Sequence, residues 1–138
     1  MKQTGFTLIE LLAVIVILAI IALIATPMIL GVIDSAKKGA VESSALGYLE
    51  SVENTALTEM VENTGYTLTP GTFRVADLKS NYKGDGPSKG TITISEQLRI
   101  IGAKLCINDY YIVYDGTQAK VDTSKSCSDI DESEIGTP

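Results

Sequence analysis

One carboxylate stands inside a long apolar run: Glu10, within GFTLIELLAVIVILAIIALIATPMIL, Gly5 to Leu30. The other groups able to do chemistry are poorly placed for it. The chain has no histidine and no tryptophan, which excludes an imidazole base, a Ser-His-Asp arrangement and a histidine metal ligand. The remaining carboxylates and serines scatter over expected loops and exposed helix faces and form no catalytic constellation. Neither catalysis nor a cofactor is expected. The glycine, lysine and serine spacing from Gly84 to Gly90 does not fit a phosphate-binding loop. An EF-hand begun at Asp129 has Glu134 at its sixth position instead of glycine, so no metal site is expected among Asp129, Asp131, Glu132 and Glu134. That acidic run reads as a solvated, partly disordered tail.

A charged glutamate inside hydrocarbon costs on the order of 2.5 to 3.5 kcal/mol on insertion scales, so Glu10 calls for a partner. No Lys, Arg or His lies between Gly5 and Leu30. If the chain were cut between Gly5 and Phe6, the new amino group would be a cation four residues before Glu10, one helical turn away on the same face. A carboxylate neutralised only by another chain would favour assembly in register and penalise misregistered packing, since an unpaired partner is costly at low dielectric.

The element that positions this carboxylate is a helix. From Phe6 to Ile33 the only side chains that are neither apolar nor Gly or Pro are Thr7, Glu10 and Thr26. At about 1.5 Å per residue, Phe6 to Thr26 covers roughly 31 Å, close to a bilayer's hydrocarbon thickness of about 30 Å. Pro27 falls near the far boundary, where it would kink or locally melt the helix. A cleaved secretory signal fits poorly, because the run is too long and Pro27 directly follows the small residues. Basic flanks do not orient the span, since Lys2 and the amino terminus face Lys37 and Lys38 across it.

Gly5-Phe6-Thr7-Leu8-Ile9-Glu10-Leu11-Leu12 followed by an apolar helix resembles the processing signature of type IV prepilins and their pseudopilin relatives. The resemblance is specific over about the first 35 residues and architectural beyond them. It implies a leader of residues 1–5, cut between Gly5 and Phe6 by a membrane prepilin peptidase that methylates the new terminus. It also implies that Glu10 pairs with the Phe6 amino group of a neighbouring subunit, and that Pro27 loosens the helix in the assembled fibre. The leader here is short and carries one basic residue, Lys2, fewer than is usual in that family. The implied partners are further copies of the chain, the prepilin peptidase, an assembly platform protein with its motor ATPase, and the cytoplasmic membrane before export into an extracellular pilus.

With 138 residues, there is room for one small soluble domain besides this segment. The balance of 11 basic against 17 acidic residues, net -6, argues against a nucleic-acid partner. Residues 34–63 read as a continuation of the helix, now amphipathic, with Val41, Ala45, Tyr48, Leu49, Val52, Ala56 and Met60 at three- and four-residue steps. Asn63-Thr64-Gly65 supplies a stop. Residues 64–90, with Pro70-Gly71 and the Gly84 to Gly90 segment, read as a loop. Thr91 to Ser95 and Tyr110 to Tyr114 have strand composition, Leu98 to Ile107 is assigned as a strand, Asp115-Gly116 is a hairpin turn and Gln118 to Asp122 returns.

The expected fold is α+β: a long apolar helix, residues 6–33, continuing as an amphipathic helix over three or four antiparallel strands within 91–125, then the tail 126–138. Of Tyr110 to Tyr114, one alternate face should be core and the other exposed. Cys106 and Cys127 are either a disulfide stapling this small domain or two buried thiols. The resemblance favours the bridge, since the carboxy-terminal loops of many pilins are tied in this way. It also places the head among pilins of Gram-positive bacteria, on its loop and short strands. The functional expectation is a structural pilus subunit serving motility or adhesion. A pseudopilin of a secretion or DNA-uptake system, or a membrane-tethered binding domain, are the alternatives.

Overall fold

A computed structural model describes residues 1, 5–63, 68–133 and 135. The chain divides into two compact units, Met1–Lys37 and Lys38–Pro138. One helix, α1, runs Leu8–Glu62. Five strands follow, β1 (Gly71–Arg74), β2 (Lys89–Ile94), β3 (Ile100–Ile107), β4 (Tyr110–Tyr114) and β5 (Ala119–Val121), with short 3-10 turns at Val75–Asp77 and Cys127–Asp129. The sheet order is β1-β2-β3-β4-β5, every pair antiparallel.

Within the second unit, α1 buries Val41, Ala45, Tyr48, Leu49, Val52 and Thr55, a stripe at helical spacing, with Ala56 and Met60 half-buried beside it. Against this stripe the sheet sets Phe73, Ile92, Ile94, Leu105, Ile107 and Ile112. Each such side chain taken fully out of water contributes about 1.5–3 kcal/mol, which is why one helical stripe suffices to hold one sheet face. Polar ties reinforce the layer contact. Glu42 Oε1 accepts the backbone N–H of Val121 on edge strand β5 at 2.9 Å, and Arg99 Nε lies 2.5 Å from Glu53 Oε1, an oxygen that otherwise has no donor.

The expected loop over 64–90 and the expected three or four strands need correction. Residues 64–67, including the anticipated helix stop at Gly65, lie outside the described residues. Beyond them β1 pairs with β2, and the Thr72 and Thr93 hydroxyls meet at 3.1 Å. Pro70-Gly71 disguised this strand, yet a proline just before an edge strand removes no ladder donor. The β3–β4 connection is a two-residue turn at Asn108-Asp109, both with positive φ (49° and 66°), the mirror-image turn that matches strand twist and that Asn and Asp tolerate. At Asp115-Gly116 the turn is present, but its loop has four residues, Tyr114 pairing with Ala119. Gly116 takes φ +94° there. Asp115 Oδ1 gathers the N–H of Thr117 (2.9 Å), its hydroxyl (2.7 Å) and the N–H of Gln118 (2.9 Å).

At the end of the chain the expected bridge is present, but what surrounds it departs from expectation. Cys106 and Cys127 are bridged, their Cα atoms 5.4 Å apart, and Cys106, Tyr111 and Ile130 form a second small core on the outer face of the sheet. Tyr111 is therefore covered as well as its neighbour Ile112, although alternation led to the expectation that only one of the two faces would be core. The acidic segment is docked through residue 132: Lys89 Nζ donates to the Ile130 carbonyl at 2.8 Å and the Gly90 N–H to Glu132 Oε1 at 3.0 Å. Composition alone misses this because one apolar residue, Ile130, carries the docking. Glu134 and residues 136–138 lie outside the described residues.

Hydrogen bonds hold several exposed aspartates ionised. Asp115 lies far below the ordinary carboxylate range, because the Gln118 amide and the Thr117 hydroxyl and amide all donate to it. Asp122 is lowered by the Ser124 hydroxyl and amide, Asp129 by the Ser126 amide and hydroxyl, and Asp131 by the Ser133 hydroxyl and amide. A carboxyl depressed in the folded state contributes stability that is fully present above its unfolded value of about 3.9 and is lost as pH falls through its folded value. Acid should therefore weaken the second unit below about pH 4. Asp115→Ala should lower the melting temperature at pH 7 and flatten its fall between pH 4 and pH 2, as followed by near-ultraviolet circular dichroism.

Candidate functional site

Local sequence sets the start of α1. Thr7 precedes the first helical residue, Leu8, and Glu10 is the third residue of the first turn. Thr7 N–H and Thr7 Oγ1 both donate to Glu10 Oε2, at 3.0 and 2.7 Å, while the Glu10 N–H donates to Thr7 Oγ1 at 3.4 Å. These reciprocal bonds are a capping box, in which two otherwise orphaned backbone N–H groups at the helix start find side-chain acceptors.

Glu10 is thus hydrogen-bonded within its own chain, by an uncharged partner that the sequence analysis did not name. The signal was present in the sequence: Thr7-Leu8-Ile9-Glu10 before an apolar run is the capping-box pattern. A search for opposite charge passes over it. Both Thr7 bonds use Oε2, so the lone pairs of Oε1 stay available to a second donor.

Gly5 and Phe6 lie before the helix and outside any regular element. An added Cβ at Gly5 meets nothing within 4 Å, and Phe6 is 82 % exposed. A peptide bond placed there is reachable by a protease without unwinding the helix. Beyond it, the apolar window of α1 is long enough to cross a membrane and none of it is buried. The large apolar side chains from Leu8 to Ile33 stay exposed, with Leu23 at 79 %. No soluble surface keeps such a length of hydrocarbon in water, so lipid or other chains must cover it.

Pro27 lies inside α1, and the helix is unbroken across it. The locally melted turn expected from the sequence is thus absent from the single chain. Pro27 has no N–H to give the Leu23 carbonyl. One turn alongside, Thr26 Oγ1 donates to the Ala22 carbonyl at 2.7 Å, a side-chain bond that often accompanies helix bending. The disulfide residues Cys106 and Cys127 belong to the second unit. Among the described residues no group of three or more His, Cys, Asp or Glu is placed to hold a metal.

Residues 1–26 match the family described as the prokaryotic N-terminal methylation motif. No curated protein and no solved structure matches the chain. The motif supports a type IV pilin-like prepilin. The long apolar helix and five-stranded antiparallel sheet make an α+β arrangement like the pilin fold. Together with the apolar helix, the motif is consistent with a membrane-anchored precursor.

Replacing Thr7 by valine keeps the shape and removes the hydroxyl from the capping box. Losing such a cap costs about 0.5–2 kcal/mol. In the uncleaved chain in detergent micelles, the amides of Ile9 to Leu11 should therefore exchange with solvent roughly 2- to 30-fold faster in T7V than in wild type.

Proposed function

We propose that this chain is a structural subunit of an extracellular type IV pilus, cut between Gly5 and Phe6 by a prepilin peptidase and polymerised through its amino-terminal helix for motility or adhesion. The observation that carries this reading is the wholly uncovered apolar length of α1 directly behind the matched methylation motif. In the precursor, lipid covers that length. In the fibre, the same side chains of other copies replace lipid, an exchange of one apolar environment for another that costs little. Selectivity must then come from polar groups.

Cleavage supplies the polar group. It creates an ammonium at Phe6, while Thr7 keeps Oε2 of Glu10 engaged and orients the carboxylate at the helix start. Oε1 then accepts the Phe6 ammonium of an adjacent copy, and the pair sets the axial register. A neighbour docked out of register leaves one charge without its partner in a water-poor core, a loss of about 3–5 kcal/mol for pairs of this kind. Pro27, which has no N–H for the Leu23 carbonyl, and the Thr26 side-chain bond mark the turn of α1 that yields when helices crowd together. The role of the chain is structural: its partners are its own copies, the peptidase, the membrane, and the platform and motor that drive export.

Mass spectrometry of the first peptide of the native protein should find it beginning at Phe6 with one added methyl group. A chain still starting at Met1 in cells that contain the peptidase would overturn the reading. Sheared filament yield from Glu10→Ala cells should drop at least about tenfold, as the loss of a buried charge pair requires, while the processed subunit accumulates in the membrane. Normal fibre yield from E10A would remove Glu10 from register control.

A further inference from the structure

The outer face of the sheet carries a charge pattern that neither processing nor the helix explains. The five strands contain four basic residues, Arg74, Lys89, Lys104 and Lys120, and no carboxylate, although the chain as a whole is acidic. Three of the four fall on one line. Arg74 pairs with Thr91, Thr91 with Lys104, Lys104 with Val113 and Val113 with Lys120. This row crosses all five strands and puts a cation on the first, third and fifth. Arg74, Lys104 and Lys120 are exposed, whereas their neighbours Phe73, Ala103, Leu105 and Ala119 are buried in the core. Alternation therefore places all three on the outer face.

Strands lie about 4.7–4.9 Å apart, so cations two strands apart repeat at roughly 9.6 Å along the row. A polysaccharide bearing one anionic group per disaccharide has nearly that repeat, and it can lay successive anions over successive cations without bending. Beside the row, a groove of about 380 Å³ is lined by Thr72, Thr91, Thr93, Lys104, Val113 and Asp131 among others. Its threonine hydroxyls are donors and acceptors of the kind that sugar hydroxyls pair with.

Local acids do not cancel the row. Asp77 holds Arg74 at 2.7 Å in an exposed pair and Glu132, tied to the Gly90 amide, also acts on its charge, but exposed pairs are weak enough to exchange for a ligand anion. Asp131 sits close enough to Lys104 and Lys89 to feel their charge and would exclude ligands of higher charge density. Single-stranded nucleic acid calls for exposed aromatic rings on which bases stack, but Tyr111 of this face is buried. An anionic membrane surface calls for a dense basic cluster, not cations two strands apart.

We propose that the outer sheet face, along the row Arg74, Thr91, Lys104, Val113 and Lys120, binds an acidic polysaccharide carrying one anionic group per disaccharide. The row presents the cations, the threonine groove receives the sugar hydroxyls, and attraction falls with salt because every contact is at the surface. This site is independent of filament formation, and its test needs no filament.

The full chain in neutral detergent micelles is passed over immobilised hyaluronan, which carries one carboxylate per disaccharide, with dextran as the uncharged control and oligothymidylate as the competing polyanion. Wild type should bind hyaluronan in preference to dextran and to oligothymidylate. Lys104→Glu with Lys120→Glu should weaken hyaluronan binding at least about tenfold, as two reversed contacts in a charged row require. Lys104→Gln with Lys120→Gln should weaken it less. An unchanged melting temperature and the absence of titratable thiol show that each variant is folded. Failure of wild type to bind hyaluronan, full retention by folded K104E/K120E, or tighter binding to oligothymidylate would each overturn the proposal.

Discussion

A carboxylate at the head of a hydrocarbon-length helix must keep its donors, and the Thr7–Glu10 box shows how this chain meets that condition. Two bonds from Thr7 hold Glu10 Oε2 at 3.0 and 2.7 Å, so the charge enters the apolar segment already oriented and partly satisfied. In the proposed fibre a second chain has to supply only one further donor to a carboxylate that is already in place. That proposal separates two tasks: the chain's own residues start the helix, and a neighbour's terminus would set where the helix stops sliding. The apolar surface behind Glu10 provides attraction without direction, since Leu, Ile and Val side chains pack on one another in many registers.

The same use of acids recurs through the second unit. Glu42 takes the amide of Val121 on edge strand β5, Asp115 closes the β4–β5 hairpin, Asp129 caps the turn at Ser126, and Glu132 takes the amide of Gly90 where β2 runs past the end of β1. Each meets a backbone N–H that no strand or helix partner reaches, and an ionised acceptor makes the stronger bond. Much of the acidity counted in the sequence is therefore committed to backbone capping at turns and edges. The strands themselves are left with cations alone. A net charge of -6 thus coexists with strands whose only charged side chains are basic.

Legibility followed the length scale of the interaction. The apolar segment, the helical stripe from Val41 to Met60, strands β3 and β4 and the α+β class were readable because each rests on a repeating pattern of side chains. Strand β1 was not, because four residues behind Pro70-Gly71 hold too few alternations to be recognised, and its partner lies some twenty positions on. The docking of Asp131 and Glu132 was hidden for a related reason: it depends on Ile130 reaching Cys106 and Tyr111, a contact between segments with no periodicity in common. At the site itself, Gly5, Phe6 and Glu10 were singled out from local pattern, but the internal partner of Glu10 was overlooked because a hydroxyl and an amide carry no net charge.

By itself the sequence determined what adjacent residues settle among themselves: an apolar helix long enough to cross a membrane, the processing-type motif before it, and the residue types that rule out imidazole chemistry. These follow from spacing and composition, which need no fold to be evaluated. Only the tertiary structure decided which acids become caps, that Tyr111 is covered and not displayed, and that Arg74, Lys104 and Lys120, far apart in the chain, share one row. Strand register is the physical reason, since a shift of a single residue moves every side chain of a strand to the opposite face, and no local stretch of sequence carries that information.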